Sequence, residues 1–199
     1  MLRHYIISVL FFVLFISGLN AQNIPKANYT GPHGAQVNTY NGNLYLERTD
    51  LIIPNQDLPI GLSFSFNSFR DSTDLGFGYG WTHSYSMRCL PFDEGVVIER
   101  AHGRRDSFYI ENEQLIPPAG IFDQLLETGT GTYELHDKYG TIFKFEAPEH
   151  HYLTSIENTN GNQLQLSYTD SLLTAVSDAS GRSIALQYSD GHLASIYGK

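Results

Sequence analysis

The sequence predicts an all-β fold of consecutive antiparallel β-hairpins, and three observations carry that expectation. Leu153, Ile156, Gly161, Leu164, Leu166 and Tyr168 recur 20 residues later as Leu173, Val176, Gly181, Ile184, Leu186 and Tyr188, and Leu193 and Ile196 open a further copy. Short segments alternate apolar and polar residues with the period of two that a half-buried strand requires, as in Leu62, Phe64 and Phe66 against Ser63, Ser65 and Asn67. No capped helical pattern of useful length interrupts them, and residues 119–127 read as a short turn of helix at most.

Residues 1–21 read as a secretory signal peptide. Arg3 and His4 precede an apolar run over residues 5–19, and Ala21 supplies the small residue at the expected cut. The run is shorter than the ~20 residues that span a bilayer, so a cleaved leader is favoured over an anchor. Secretion or display at the cell surface is the corresponding expectation, with no membrane contact after cleavage. Cleavage leaves 11 Lys and Arg against 21 Asp and Glu. Such an acidic chain is unsuited to nucleic acid or an anionic membrane. Cys89 is the single cysteine, so no internal disulfide can form, and it reads as a small buried hydrophobe.

Residues 22–40, polar and rich in Asn and Gly, read as an extended leader. A β domain is expected over residues 41–130. Leu44 and Leu46 alternate with Tyr45 and Glu47, and Pro54 and Pro59 bracket the connection to the Leu62 strand, because proline in a central strand removes a ladder donor. Gly95 and Gly103 flank a strand around residues 96–100, and residues 107–110 can pair back on it.

Residues 131–199 carry the repeats. Asn160-Gly161 and Ser180-Gly181 precede the Leu164 and Ile184 strands and suit the positive φ angles of tight turns. The second strand of each unit is the short LTSI, LTAV or LASI segment, reached through a polar turn at Asp170 or Asp190. Gly140, Phe143 and Phe145 mark an earlier, degenerate copy 21 residues before Gly161, Leu164 and Leu166. An isolated hairpin is marginal in water, so such units become stable only by continuing laterally into a larger sheet.

Residues of chemical interest read as structural. His150 and His151, beside Glu149, suggest a metal site only superficially, since neighbours on a strand face opposite ways, and a turn or inter-repeat loop accounts for them. Residues 158–162 look like the start of a calcium loop but lack its acidic ligands. Gly76, Gly78 and Gly80 interleave with Phe77, Tyr79 and Trp81 as in a glycine-bent strand under aromatic rings. In Trp81-Thr82-His83-Ser84, adjacency of His and Ser is not triad geometry. The sequence names no catalytic, metal-binding or cofactor-binding residue and argues for a non-enzyme.

The pattern L-T-x-I-x-x-x-x-G-N/R-x-L/I-x-L-x-Y over residues 153–168 and 173–188 resembles the Rhs (rearrangement hotspot) or YD-repeat family. Tyr168-Thr169-Asp170 and Tyr188-Ser189-Asp190 stand where that family has its Tyr-Asp element, with one residue interposed. Upstream, residues 41–69 and 76–90, including Gly80-Trp81-Thr82-His83-Ser84, are similar to the domain that commonly opens Rhs-type proteins. The resemblance implies the start of a β-shell or solenoid that encloses a variable C-terminal domain, often a polymorphic toxin. This chain is then expected to be the non-catalytic N-terminal scaffold segment of a longer protein. Its partners would be downstream repeats and a C-terminal effector domain. The alternative is an extracellular carbohydrate-binding module, for which exposed aromatics in a row would speak; aromatics turned inward favour the shell.

Overall fold

The computed structural model describes residues 34–198 apart from residues 56, 71, 73 and 148–150. The leader over residues 1–21, most of the segment 22–40, Glu149 and His150 therefore lie outside the described residues. The fold is all-β, with every sheet antiparallel.

Three meanders follow one another. The first sheet holds β1 (Gln36–Val37), β2 (Leu44–Ile53), β3 (Ile60–Asn67) and β4 (Trp81–His83), side by side in that order. The second holds β5 (Arg88–Phe92), β6 (Gly95–Glu99), β7 (Arg105–Glu111) and β8 (Gln114–Ile116). The third runs from β9 (Gln124–Gly129) through β10 (Thr132–His136), β11 (Ile142–Phe145), β12 (Ser155–Glu157), β13 (Gln163–Thr169), β14 (Leu172–Asp178) and β15 (Ser183–Ser189) to β16 (His192–Gly198). Within each sheet, each strand pairs with its neighbours in sequence, mostly through short hairpin connections, with longer loops between β3 and β4 and between β11 and β12.

Pro54 and Pro59 do lie between β2 and β3, outside both strands. Along β3 the alternation expected from sequence buries Ile60, Leu62 and Phe64. In β2 a bulge at Asp50 breaks the register between Thr49 and Leu51, after which Leu51 and Ile53 turn toward the core and Ile52 toward solvent.

Two expectations need correction. Residues 124–129 form strand β9, not a helical turn. Gly120 takes a φ of 83°, Ile121 N–H bonds the Pro118 carbonyl, and β9 then pairs with β10 across a turn at Gly131. The buried partners Leu125 and Leu135 face one another across that pair, and burying two leucines is worth several kcal/mol, more than any local helical preference of so short a segment. Gly76, Gly78 and Gly80 form a loop between β3 and β4, not a bent strand, with φ values of 86°, 92° and 78° that no strand accommodates.

The repeats carry a device that their spacing alone does not reveal. Between β13 and β14 the pairing runs Ser167 with Ala175 and then Tyr168 with Leu173, leaving Thr174 as an extra residue. The pair β15–β16 does the same at Ala194. Leu173 and Val176, three apart, thus reach the same buried face, which an unbroken strand would forbid. All three sheets contribute to one core, in which Ile60 and Leu62 join Ile98 and Phe108 and the repeat residues Leu164, Leu173, Val176 and Ile184.

Candidate functional site

The opening segment and the repeats meet along a seam built from three contacts. The first is the glycine loop over residues 74–80. The Asp74 carboxylate accepts the N–H groups of Gly76 and Gly78, fixing the loop. Phe77 then projects between Phe64, His83 and the repeat residue Tyr188, with ring centroids 5.0, 5.3 and 6.1 Å away. Leu193 N–H of the last hairpin donates to the Gly76 carbonyl at 2.7 Å. A Cβ at Gly76 would sit 2.7 Å from Tyr188 Cε1 and 3.1 Å from the Gly191 carbonyl oxygen, so the approach demands glycine twice over, by φ and by space.

The second contact lies at the repeat turns. Asp137, Asn158 and Asp178 each use Oδ1 to accept two backbone N–H groups of the turn that follows, at Tyr139 and Thr141, Asn160 and Asn162, and Ser180 and Arg182. These Asx turns precede Gly140, Gly161 and Gly181 by three residues. They present side chains to the β2–β3 connection: Arg182 Nη1 donates to the Pro54 carbonyl at 2.7 Å, and Asn162 Nδ2 to Asp57 Oδ2 at 3.2 Å. Arg182 is itself held by Asp178, whose carboxyl these hydrogen bonds keep below the usual range against the opposing effect of desolvation.

The third contact joins the second sheet to the first repeat. Arg88 bridges Tyr152, Cys89 N–H donates to His151 O at 2.9 Å, and Leu153 N–H donates to Met87 O at 3.2 Å. This docking explains why Leu153 leaves the repeat strand, which is reduced to β12, while Thr154 keeps its backbone bonds to Lys144 and Leu166. The Arg88 guanidinium lies 5.5 Å from the Tyr152 ring, and Tyr152 stacks on Tyr168 at 5.1 Å. Among the described residues the buried Tyr168 hydroxyl has no hydrogen-bond partner, and burial pushes its pKa up.

Apart from the seam, a buried ionic cluster ties Arg70, Glu99, Arg100, Arg105, Asp106 and Asp123 together. Glu99 is held by Arg70 at 2.8 Å and Arg105 at 2.6 Å; Arg100 pairs with Asp106 at 2.9 Å and with Asp123. Glu99, Arg100 and Asp106 are all buried, so these charges depend on one another.

The residues weighed in the sequence fall as follows. His151 has a φ of 56° and donates its N–H to the Ala147 carbonyl, in a loop between β11 and β12. Asn158 spends its side chain on its own turn. His83 is fully buried, its Nδ1 accepts the Tyr85 N–H, and desolvation lowers its pKa to about 3. Ser84, next to it, is exposed and donates to the Gly61 carbonyl. Cys89 is buried, with its thiol pushed up to about 12, first by burial and then by Glu127. Sequence reasoning weighed position 158 for calcium alone and passed over the Asx positions 137 and 178, although an Asp or Asn three residues before each repeat glycine was there to be read.

Residues 34–108 match the family model of a domain of unknown function, DUF6531. The matched stretch holds the first sheet, β5 and β6, most of β7, the glycine loop and all of the ionic cluster except Asp123. It ends before the repeat sheet begins. No curated protein matches the chain.

Proposed function

We propose that the chain is the non-catalytic N-terminal scaffold segment of a secreted or cell-surface Rhs/YD-repeat protein, helping to build a β-shell around a C-terminal effector. The observation that carries this reading is the inward placement of the repeat tyrosines at the seam. Tyr188 packs on Phe77 of the opening segment, and Tyr168 stacks on Tyr152, whose ring in turn meets the Arg88 guanidinium of the second sheet. A strip whose hairpins pair strand by strand in sequence order also lengthens by adding units, and its twist curls it. The resemblance of residues 41–69 and 76–90 to Rhs-opening domains and the 20-residue repeats point the same way.

The test is to read the coding DNA beyond the Lys199 codon and to image the full product by electron microscopy. Many further units, an unrelated final domain and a hollow particle would bear the reading out. An immediate stop, or a compact product with no further repeats, would sink it.

Carbohydrate binding remains the second reading because of a depression of about 370 Å³ lined by Arg48, Asp50, Trp81 and His192. The exposed repeat aromatics Tyr139 and Tyr197 do not favour it. One lies in the β10–β11 turn and the other on β16, five strands from β11 and so roughly 24 Å away at sheet spacing. Glycan-array binding that is lost in Trp81→Ala would move this reading ahead.

A further inference from the structure

The second and third sheets part between β8 and β9. Each of these strands is the end member of its sheet: among the described residues, β8 pairs with β7 alone and β9 with β10 alone. A groove of about 1280 Å³ opens there, larger than the sites that hold small ligands. All three residues of β8 and all six of β9 line it. Because successive side chains on a strand face opposite ways, a groove that touches every residue of a strand runs along its edge, where the unpaired peptide groups are.

The walls are apolar and unusually exposed. Phe122 is 74 %, Ile110 55 % and Leu126 46 % accessible, with Phe92 and Ile116 beside them. A contiguous patch of this kind on a chain with an otherwise buried core marks a contact surface. The charges lining the groove are all acidic, namely Glu113, Asp123 and Glu127. Asp123 is neutralised by Arg100, which leaves Glu113 and Glu127 to set the sign. The field of Glu127 is felt on the adjacent groups, since it helps raise the pKa values of Cys89 and Tyr133.

We propose that this groove receives an extended strand from a partner polypeptide, one that alternates apolar residues with Lys or Arg and pairs with the open edge of β9. Edge pairing supplies the main-chain hydrogen bonds, the apolar wall takes every second side chain, and the two carboxylates take the cations. The inference concerns residues 91–133 and stands whether or not the chain builds a shell.

The test is fluorescence anisotropy of the purified chain with a labelled ten-residue peptide alternating valine and lysine. Saturable binding is expected, weakened at least tenfold by N-methylation of alternate peptide nitrogens along one edge. The same loss is expected when serine replaces valine in the peptide and in the Phe122→Ser/Leu126→Ser variant, whose exposed positions leave folding intact by circular dichroism. A valine–glutamate peptide should bind at least tenfold more weakly than valine–lysine. No saturable binding would overturn the proposal, as would undiminished binding of the serine–lysine peptide, which would reduce the effect to bulk charge. Binding that survives N-methylation of either edge would overturn the strand-pairing geometry.

Discussion

The hydroxyl of Tyr188 donates a 2.9 Å hydrogen bond to the carbonyl of Leu173, one hairpin back in the repeat sheet. Tyr168, its counterpart 20 residues earlier, is buried with its hydroxyl unpartnered among the described residues. Equivalent positions of one repeat thus carry opposite balances, because Tyr188 meets the glycine loop and Tyr168 meets Tyr152. Tyr188→Phe should cost about 1 kcal/mol in urea unfolding, the usual net worth of such a bond, while Tyr168→Phe should be neutral or stabilising, since it removes an unsatisfied buried group. A loss in both would mean that the Tyr168 hydroxyl has a partner after all.

Gly76→Ala should be among the most damaging single-methyl changes in the chain. It forces an L side chain to φ 86° and drives a Cβ to 2.7 Å from Tyr188. Gly181→Ala has the same kind of backbone penalty, at φ 84°, with nothing within 4 Å of the new methyl. The second change should cost about 1–2 kcal/mol, the first clearly more, and the difference in urea midpoints measures the seam. Equal costs would show that the loop does not press on the repeats.

Lowering the pH should destabilise the fold through His83. The unfolded chain takes up a proton at His83 near 6.5, the folded chain only near 3, so between those values protons favour the unfolded chain. Stability contributed by the neutral buried ring is complete above about pH 6.5 and falls by up to about 1.4 kcal/mol per pH unit below it. Melting temperatures measured from pH 7 to pH 4 should fall more steeply in the native chain than in His83→Phe. Parallel curves would place the acid sensitivity elsewhere.

Charge removal should separate the buried cluster from the surface. Glu99→Ala leaves Arg70 without its buried partner and should cost about 3–5 kcal/mol. Arg48→Ala breaks the exposed pair with Asp50, 3.0 Å apart, and should cost under about 1 kcal/mol by chemical denaturation. Similar effects of both would contradict the burial of Glu99.

The strands were legible wherever alternation or the repeat spoke. Leu62, Phe64, Leu164, Leu166, Ile184 and Leu186 were each assigned to strands from sequence, and Pro54 and Pro59 to the connection from the Leu44 strand to the Leu62 strand. The segment 119–127 was misread because its strand character depends on a partner: Leu125 finds Leu135 only once β10 has folded back on it. Gly76, Gly78 and Gly80 were placed in a strand because sequence shows their spacing, while their positive φ angles follow from the Asp74 carboxylate and the press of Tyr188.

By itself, then, the sequence determined the all-β class, the 20-residue hairpin unit and the turns at Gly161, Gly181, Asp170 and Asp190, because these follow from local backbone preference and from the period of apolar residues. Tertiary structure alone decided that Leu173 and Val176 share a face, that Tyr188 is paired and Tyr168 is not, and that Phe77 joins the opening segment to the repeats. The reason is physical: a bulge, a buried hydrogen bond and an interlocked ring each depend on residues brought together across the fold, which no local window of sequence contains.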